Sequence, residues 1–403
     1  MRIAVVEPDG AGGLAHYAFQ LCTAMADAGA DVTLVTAVDW ELAGLDRPFT
    51  AAQVIRLWPA VEAPISPGRG AVLHRFWRKL RRLWRAVRYA WEWERLTRHV
   101  IRMRPDVVQF SLIRFPFQAF FLWRMKRAGL TLTEICHEFE LRENRYAWMQ
   151  RIDSGLARSV YGSFRVMFFH GEATADRFRA LFGEPEAKVR IIPHGNQALL
   201  AELADPGGDL RSRYGIAPER PVVLFFGGLR PSKGLPELVD AFATVRSEVE
   251  AHLVIAGFPD RGYDIGGLLE QARRLGVDMD VTIDARYLAI EEVGPLLRTA
   301  ALLVLPYKSA TASGVLQVAY AFARPVVVTD VGDLPDSVDE GVTGLVVPAG
   351  DGDALAQAIV RLAGDSEIRI RMGEAARQVA FERFGWGPIA TQIIDTYRAL
   401  DPS

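Results

Sequence analysis

The stretch VVLFFGGLRPSKGLPELVDAFATV, residues 222–245, constrains the fold of this chain more than any other. Val222–Phe226 is an apolar run of strand length, rich in β-branched and aromatic residues, which suits burial on both faces of a parallel sheet. Gly227 and Gly228 interrupt this run. Beyond Gly234, apolar residues recur every three or four positions, as on one face of a helix. The stretch therefore predicts a strand, a glycine-rich turn and a helix.

Two cations, Arg230 and Lys233, lie in the loop that leads into this helix. Free N–H groups and the positive end of the helix dipole also face that loop, so the cations would repel unless an anion lies there. Open α/β sheets bind ligands at the carboxyl ends of their strands, which favours a phosphate or diphosphate site over a merely solvated loop. The spacing is neither a Walker loop nor a GxGxxG dinucleotide turn.

Length and composition restrict the class of protein. A chain of 403 residues exceeds what one hydrophobic core usually serves, so two domains are expected. The net charge of −2 gives the whole molecule no steering field, so any electrostatic attraction must be local. Cys22 and Cys136 lie in apolar segments without metal-ligand spacing, as expected of reduced cysteines in the cytoplasm. No signal peptide or run of about 18 apolar residues is evident, so a cytoplasmic protein, soluble or peripheral on the membrane, is expected.

The N-terminal residues predict a βαβ unit with a glycine-rich turn. The strand Arg2–Val6 is followed by EPDGAGG, by a helix that begins near Leu14, and by the strand Asp31–Thr36. Gly12 and Gly13 would let a ligand approach the backbone closely, although a turn that is only tight explains them equally well.

Residues 69–104 are strongly basic. They combine twelve lysines and arginines with helically spaced apolar residues and four tryptophans, against two glutamates. Such a helix suits the headgroup region of an anionic membrane. A second interpretation, compatible with the first, is a crossover helix that packs its apolar stripe on the sheet and leaves its arginines in water. Nucleic-acid binding is a third and weaker one.

Chemistry-bearing residues follow two further predicted strands. The strand Leu130–Cys136 ends at His137 and Glu138, at the edge of the sheet where α/β enzymes place reactive groups. The strand Leu302–Pro306 leads through small polar residues to a helix that begins near Ser313, a second helix N-terminus. Two D-x-D sequences, at 278–280 and 351–353, are more simply loop or helix-cap acids than metal ligands.

The segment FFGGLRPSKGLPELVDAF resembles the G-x-L-x-x-x-K-G-x-x-x-L-x-x-A-F signature of retaining nucleotide-sugar glycosyltransferases of family 4. The resemblance implies the GT-B fold, in which two Rossmann-like α/β domains face each other across a cleft. The implied division is an N-terminal acceptor domain, 1–196, a linker, 197–220, and a nucleotide-sugar domain, 221–384. The last helix, within 385–403, would cross back to the N-terminal domain.

The resemblance also implies roles for individual residues. His137 would lie near the transferred sugar as the catalytic residue, and Glu138 would orient or assist it. The donor would be held by the glycine turns, by the two cations and by the second helix N-terminus: Gly12, Gly13, Gly228, Arg230, Lys233, Ser313, Gly314, Val315, Leu316 and Gln317. The cations and amides would take the charge of the departing diphosphate, so neither a metal nor another cofactor is expected.

The sequence departs from the family pattern at two positions. The family has two glutamates separated by seven residues, and counting back from Pro325 places them at Ala310 and Val318. The first glutamate usually approaches the sugar hydroxyls, and the second usually pairs with the ribose diol. Both contacts must be absent here or be made by other groups, such as Gln317 or the backbone.

The predicted function is transfer of a sugar from a nucleotide diphosphate sugar, with retention, to a saccharide or polyprenyl-linked acceptor in surface polysaccharide synthesis. The basic segment would hold the protein peripherally on the inner face of the cell membrane. Two alternatives stay open: a nucleotide-sugar epimerase of similar fold, and a non-catalytic sugar-nucleotide-binding partner. Nothing in the sequence resembles a nucleic-acid-binding fold.

Overall fold

The computed structural model describes residues 1–56, 71–113, 115–137, 139, 157–183, 188–204 and 208–400, with the backbone alone described for 71–83. These residues form two compact units. The first comprises Met1–Phe169, Ala175–Ile192 and Trp386–Ser403, and the second comprises His170–Thr174 and Pro193–Gly385.

A parallel sheet of seven strands forms the centre of the first unit. Its strands are β1 (Arg2–Val6), β2 (Asp31–Ala37), β3 (Thr50–Ile55), β4 (Val107–Phe110), β5 (Thr131–Ile135), β6 (Val166–Phe169) and β7 (Val189–Ile191). They lie in the order β3-β2-β1-β4-β5-β6-β7, so the direction of progression reverses between β1 and β4. The central strands are buried along almost their whole length, as expected of a parallel sheet covered on both faces.

A second parallel sheet, of six strands, forms the centre of the second unit. Its strands are β8 (Val222–Phe226), β9 (His252–Ala256), β10 (Val281–Asp284), β11 (Leu302–Leu305), β12 (Val326–Thr329) and β13 (Gly344–Val347). Their order is β10-β9-β8-β11-β12-β13, with the reversal between β8 and β11. Two parallel Rossmann-like sheets are present, which confirms the predicted fold class.

Helices connect the strands of both sheets. In chain order they are α1 (Gly13–Asp27), α2 (Ala71–Met103), α3 (Ala119–Arg127), α4 (Glu172–Phe182), α5 (Ala198–Leu203), α6 (Arg211–Tyr214), α7 (Leu235–Glu248), α8 (Ile265–Arg274), α9 (Ile290–Thr299), α10 (Gly314–Ala321), α11 (Gly352–Gly364), α12 (Ser366–Glu382) and α13 (Trp386–Leu400). Shorter 3₁₀ turns lie at Pro116–Gln118, Pro231–Lys233, Asp278–Asp280 and Pro335–Ser337. Residues 157–161 are also helical.

The last helix, α13, belongs to the first unit, as the resemblance implied. Its apolar face, which includes Ile389 and Ile393, is buried, and it packs beside α1. Tyr397 is 1% exposed; its hydroxyl donates a hydrogen bond to Gln109 on β4 and accepts one from Thr133 on β5 at 3.2 Å. A buried hydroxyl needs such partners, and here they attach the helix to the centre of the sheet.

Residues 197–220, predicted as a linker, lie within the second unit wherever the structure describes them. Leu200 on α5 and Ile216 after α6 belong to the hydrophobic core of that unit. Proline, glycine and aspartate content suggested a spacer, but one of these glycines, Gly215, closes α6 with a φ of 66°. The chain therefore enters the second unit earlier than the composition indicated.

The described part of α2 packs one face on the first unit's sheet. Tyr89, Trp93, Leu96 and Val100 are buried, and the Trp93 ring stacks with Phe110 of β4 at a centroid distance of 6.0 Å. The crossover-helix alternative is therefore right for this half of the helix. Among the described residues, no helix is long and apolar enough to span a membrane.

Candidate functional site

The predicted phosphate turn follows β8 in the second unit. Arg230 begins the 3₁₀ turn Pro231–Lys233, and α7 starts directly after Gly234. Gly234 has a φ of 66°, and a Cβ atom there would lie 1.9 Å from the carbonyl oxygen of Pro306, so only glycine fits. Gly228 is exposed, and a Cβ atom there would meet nothing within 4 Å. The turn is therefore closely packed at Gly234, beside the end of β11, and open at Gly228.

Tyr307, just after β11, connects the two predicted anion-binding turns. The Lys233 ammonium lies 3.4 Å from the centre of the Tyr307 ring, a close cation–π contact. The Tyr307 hydroxyl hydrogen-bonds to Ser313 and interacts electrostatically with Arg230; burial raises its pKa to about 12. Lys233 and Ser313 therefore both contact one buried tyrosine, and Arg230 acts on the same side chain electrostatically.

The second predicted turn is the N-terminus of α10. Ser313 is its N-cap, and its hydroxyl accepts a hydrogen bond from the Leu316 N–H at 3.4 Å. Gly314 and Val315 are half-buried in the first turn, where backbone N–H groups have no partners within the helix. Gln317 is buried on the same helix, so its side chain presents little surface to a ligand.

His194 borders the same helix end. A Cβ atom at Gly314 would lie 3.3 Å from the His194 ring, whose Nδ1 lies 3.2 Å from the carbonyl oxygen of Gly195. Burial lowers the pKa of His194 to about 4, so the ring is neutral at pH 7. Because the imidazole is neutral, it places no additional positive charge beside the positive end of the helix dipole.

Both turns lie at the topological switch point of the second sheet. β8 and β11 are adjacent parallel strands, and the strand order reverses between them. Two crossovers leave in opposite directions there, which opens a crevice at the carboxyl ends of the strands. The N-termini of α7 and α10 and the loop that carries Arg230 and Lys233 follow these two strands, an arrangement that suits a diphosphate.

The two positions where the family has glutamates carry apolar side chains. Val318 is buried in the hydrophobic core of the second unit, and Ala310 packs against that core. The carbonyl oxygen of Ala310 lies so close to Gly332 that a Cβ atom there would stand 2.1 Å away. This strand end is therefore shaped by backbone contact, and neither side chain offers a polar contact.

One aspartate of each D-x-D sequence makes a structural contact. The Asp351 carboxylate caps α11 by accepting the Ala354 N–H at 2.9 Å. Asp280 forms ion pairs with Arg220 at 2.6 Å and with Arg246 at 2.8 Å.

The glycine-rich turn of the first unit is capped by an acid that the sequence does not reveal. Gly12 is the N-cap of α1, with a φ of 87° that favours glycine. Its N–H donates to Glu41 at 2.7 Å, and the same carboxylate oxygen lies 2.8 Å from Nε2 of His16. A Cβ atom at Gly13 would meet nothing within 4 Å, so the backbone is open there. Glu41 therefore supplies the negative charge that the first turn of α1 lacks.

His137 lies at the end of β5, where the sequence places it. Its ring meets Tyr17 of α1 edge-on at a centroid distance of 4.5 Å, and Tyr17 in turn meets Trp386 of α13 at 4.8 Å. Burial raises the pKa of the Tyr17 hydroxyl, so this residue stays neutral. Glu138, predicted to assist His137, lies outside the described residues.

Tyr307, Glu41 and His16 were not among the predicted site residues. One signal was present for Glu41: no residue in the first turn of α1 is acidic, and Gly12 has no side chain with which to cap the helix. Which distant acid fills that role depends on how the segment after β2 folds back, and local patterns do not record it.

Two family models match the chain. The model described as Glycosyltransferase Family 4 matches residues 11–196, and that described as Glycosyl transferases group 1 matches residues 220–365. Each match covers most of the described part of one sheet unit.

Two of the relatives that are similar in sequence illustrate the match. D-inositol 3-phosphate glycosyltransferase of Kribbella flavida is 33% identical over 56% of this chain and 56% of its own length. GDP-mannose-dependent alpha-(1-6)-phosphatidylinositol monomannoside mannosyltransferase of Mycobacterium tuberculosis is 30% identical over 63% of this chain and 66% of its own. The match thus spans between half and two thirds of these relatives.

The fold is shared with solved structures at low sequence identity. Anabaena Alr3699/HepE in complex with UDP matches with a TM-score of 0.71 and 18% identity, over 99% of this chain and 100% of that one. The motif that suggested the resemblance agrees with both family models, with the sequence relatives and with the shared fold. The chain therefore belongs to the glycosyltransferases of family 4, which have the GT-B fold.

Proposed function

We propose that this protein transfers a sugar from a nucleotide diphosphate sugar to a saccharide or lipid-linked acceptor, with retention of the anomeric configuration. The product would belong to a surface polysaccharide or another glycoconjugate.

The observation that carries the proposal is the contact of Lys233 and Ser313 with Tyr307 at the switch point of the second sheet, where Arg230 also acts electrostatically on that tyrosine. Cations and helix N-termini fixed in one crevice would stabilise the charge that develops on a departing nucleotide diphosphate. Because these groups are already oriented, little reorganisation is needed when the glycosidic bond breaks. In this proposal they take the role that a metal ion has in other transferases.

The names of similar proteins support the two substrates. Alr3699/HepE is described in complex with UDP, which supports a nucleotide-sugar donor. The mycobacterial relative is named for GDP-mannose and a phosphatidylinositol mannoside, and the Kribbella relative for an inositol phosphate. A lipid-linked acceptor accords with the basic helix α2 and would place the protein on the inner face of the cell membrane.

In the first unit, Gly12 and Gly13 would approach the sugar end of the donor through their backbone. His137 would contact the transferred sugar, with Glu138 as its assistant. The edge contact with Tyr17 fixes the His137 ring at the carboxyl end of β5, which supports a positioned role.

Calorimetry with UDP, GDP, ADP and their sugars tests the donor site. A charge-assisted hydrogen bond is worth about 1.5–3 kcal/mol, so Arg230→Ala and Lys233→Ala should each weaken nucleotide diphosphate binding roughly ten- to hundredfold. Arg371→Ala, which removes an exposed arginine of α12, should bind as the wild type does. Equal affinity in all four proteins would refute the diphosphate site.

Donor turnover then separates the candidate activities. A transferase consumes the donor only when an acceptor is present, and an epimerase isomerises the donor alone. A protein that binds the donor and does neither would be a non-catalytic partner, the outcome that the apolar residues Ala310 and Val318 favour over an epimerase.

A further inference from the structure

We propose that four arginines at the edge where the strands of the second sheet begin form a binding site for a phosphate group. We call them the arginine cluster, and they are Arg211 on α6, Arg298 on α9, Arg324 before β12 and Arg369 on α12. This site is additional to the donor site. Its ligand is a free phosphate ion or a phosphate monoester.

The arginine cluster lies at the opposite edge of the sheet from the donor turns. Arg298 is near the end of α9, just before β11, and Arg324 comes just before β12. Arg211 reaches the start of β8 by donating a hydrogen bond to the carbonyl oxygen of Arg220 at 2.6 Å. The donor turns follow β8 and β11, and strands of four or five residues separate the two edges by roughly 15 Å. One phosphate group therefore cannot contact both sites.

Two of the guanidinium groups meet at the end of α9. Nη2 of Arg324 donates to the carbonyl oxygen of Arg298 at 3.2 Å. Nη2 of Arg211 donates to the carbonyl oxygen of Thr299, the next residue, at 3.3 Å. Because the two carbonyl groups are consecutive, Arg324 and Arg211 are brought close together beside Arg298.

Helix α12 brings the fourth arginine. A Cβ atom at Gly373 would lie 2.1 Å from the carbonyl oxygen of Ala323, so α12 packs closely on the residue that precedes Arg324. Arg369 lies one helical turn before Gly373, on the same side of α12. It donates to two carbonyl oxygens at the end of α11, at 2.8 and 2.6 Å, and it interacts electrostatically with Arg324.

Positive charge exceeds negative charge in the arginine cluster. Among the described residues, the acids that pair with it are Asp209, 3.6 Å from Arg211, and Asp365, which interacts electrostatically with Arg369. Both carboxylates also accept hydrogen bonds from backbone N–H groups. Four cations against two acids leave two positive charges, and a phosphate monoester carries a charge of about −1.5 to −2 at pH 7.

The neighbouring ion pairs at the same edge are balanced. Arg220 and Arg246 both pair with Asp280, at 2.6 and 2.8 Å, and Arg246 also lies 3.5 Å from Glu250. Two cations thus face two acids there. The excess of positive charge therefore belongs to the arginine cluster and is not a general property of this edge.

The carbonyl partners do not use all the donors of the arginine cluster. Among the described residues, Nε of Arg324 and Nη2 of Arg298 are buried and have no hydrogen-bond partner. Burial, and after it the charges of the other three arginines, lowers the pKa of Arg324. A buried donor that lacks an acceptor costs free energy, and so does the repulsion between like charges. A bound phosphate would relieve both costs.

The arrangement favours a phosphate group over other anions. A guanidinium group presents its N–H donors in a fork that matches the oxygens of phosphate, and a phosphate monoester has three oxygens that can accept from several arginines at once. The four arginines come from separate elements and converge on one place, whereas a nucleic acid is bound along an extended basic stripe. A small phosphate compound is therefore the ligand that fits.

Calorimetry with inorganic phosphate tests the proposed site. Because the donor turns also attract phosphate, the reference protein is the full chain with Arg230→Ala/Lys233→Ala. It should still bind phosphate, and its Tm should rise with phosphate more than with sodium chloride of equal ionic strength. Adding Arg298→Gln/Arg324→Gln should weaken phosphate binding at least tenfold, roughly the effect of one lost charge-assisted hydrogen bond. Glycerol 3-phosphate is titrated in parallel: tighter binding than phosphate assigns an ester as the ligand, and weaker binding assigns the free ion.

A matched control changes an arginine of α12 outside the arginine cluster. Arg371→Gln, at an exposed position, should leave phosphate affinity unchanged. Arg369→Gln alone should weaken phosphate binding several-fold, which provides the comparison if the double substitution prevents folding. Introduced into the wild type, Arg298→Gln/Arg324→Gln should preserve the affinity for nucleotide diphosphates.

Two results would overturn the proposed site. The first is equal phosphate affinity in the reference protein with and without the substitutions in the arginine cluster. The second is a Tm that these substitutions lower by the same amount in phosphate and in chloride, because arginines that only cap helix ends would behave in this way. Loss of nucleotide binding through Arg230→Ala/Lys233→Ala concerns the donor site alone.

Discussion

Glu134 is a buried acid whose ionisation should oppose folding of the first unit. It lies on β5, is 1% exposed, and accepts a hydrogen bond from the backbone N–H of Ile113. Burial raises its pKa from 4.5 to about 8, and the Ile113 hydrogen bond offsets only part of that increase. At neutral pH the carboxyl group is therefore mainly protonated in the folded protein and ionised in the unfolded chain.

The sign of the effect follows from the number of bound protons. Below about pH 4.5 both states hold the proton, so Glu134 adds no pH dependence. Between about pH 4.5 and about pH 8 the unfolded chain has released it and the folded chain has not, so stability falls as pH rises. At about 1.4 kcal/mol for each pKa unit, the loss reaches about 5 kcal/mol above pH 8.

Glu134→Gln keeps the shape and an acceptor for the Ile113 N–H but cannot ionise. We expect the free energy of unfolding of Glu134→Gln, measured by urea denaturation, to increase relative to that of the wild type as the pH rises through this range. The difference should change by about 5 kcal/mol in total. Asp27→Asn, at an exposed acid that ends α1, should follow the wild-type profile. Parallel profiles for wild type and Glu134→Gln would mean that Glu134 is ionised in the folded protein, and the reasoning from burial would fail.

Two further substitutions test the glycine turns. Gly234→Ala should destabilise the second unit by more than the roughly 1 kcal/mol that a left-handed backbone costs, and should abolish nucleotide binding, because its Cβ atom would lie 1.9 Å from Pro306 O. Gly276→Ala, with a similar φ of 71° and open space around it, should show the backbone cost alone in thermal denaturation. Glu41→Ala should lower the stability of the first unit by about 1 kcal/mol through loss of the α1 cap, whereas Asp46→Asn, an exposed acid nearby, should have no effect; equal stabilities would contradict the capping role.

The sequence sufficed for the features that depend on local pattern. The run Val222–Phe226 is β8 with the predicted bounds, and the helix begins directly after Gly234. The helix predicted near Ser313 begins at Gly314, with Ser313 as its cap. Strand, turn and cap signals lie within a few neighbouring residues, so they can be recognised before any tertiary contact is known.

Features that depend on distant residues could not be predicted in this way. Glu41 reaches the α1 cap across 29 positions, and Tyr307 meets Lys233 only because β8 and β11 are neighbours in the sheet. In the sequence, Trp123 belongs to a segment typical of an ordinary apolar helix. Only tertiary packing shows which side of α3 is covered and that the Trp123 ring is exposed. The predicted linker failed for the same reason, because Leu200 and Ile216 find their core partners far along the chain.

The membership of α13 in the first unit has a consequence for biosynthesis. The ribosome completes all strands of the first sheet, and then the whole second unit, before Tyr397 emerges to meet Gln109 and Thr133. Until then Tyr17 lacks the cover that Trp386 provides, and α1 lacks the helix that packs beside it. Synthesis of the first unit therefore begins before that of the second but is completed after it. The nascent chain must keep an apolar surface from aggregating while the second unit folds.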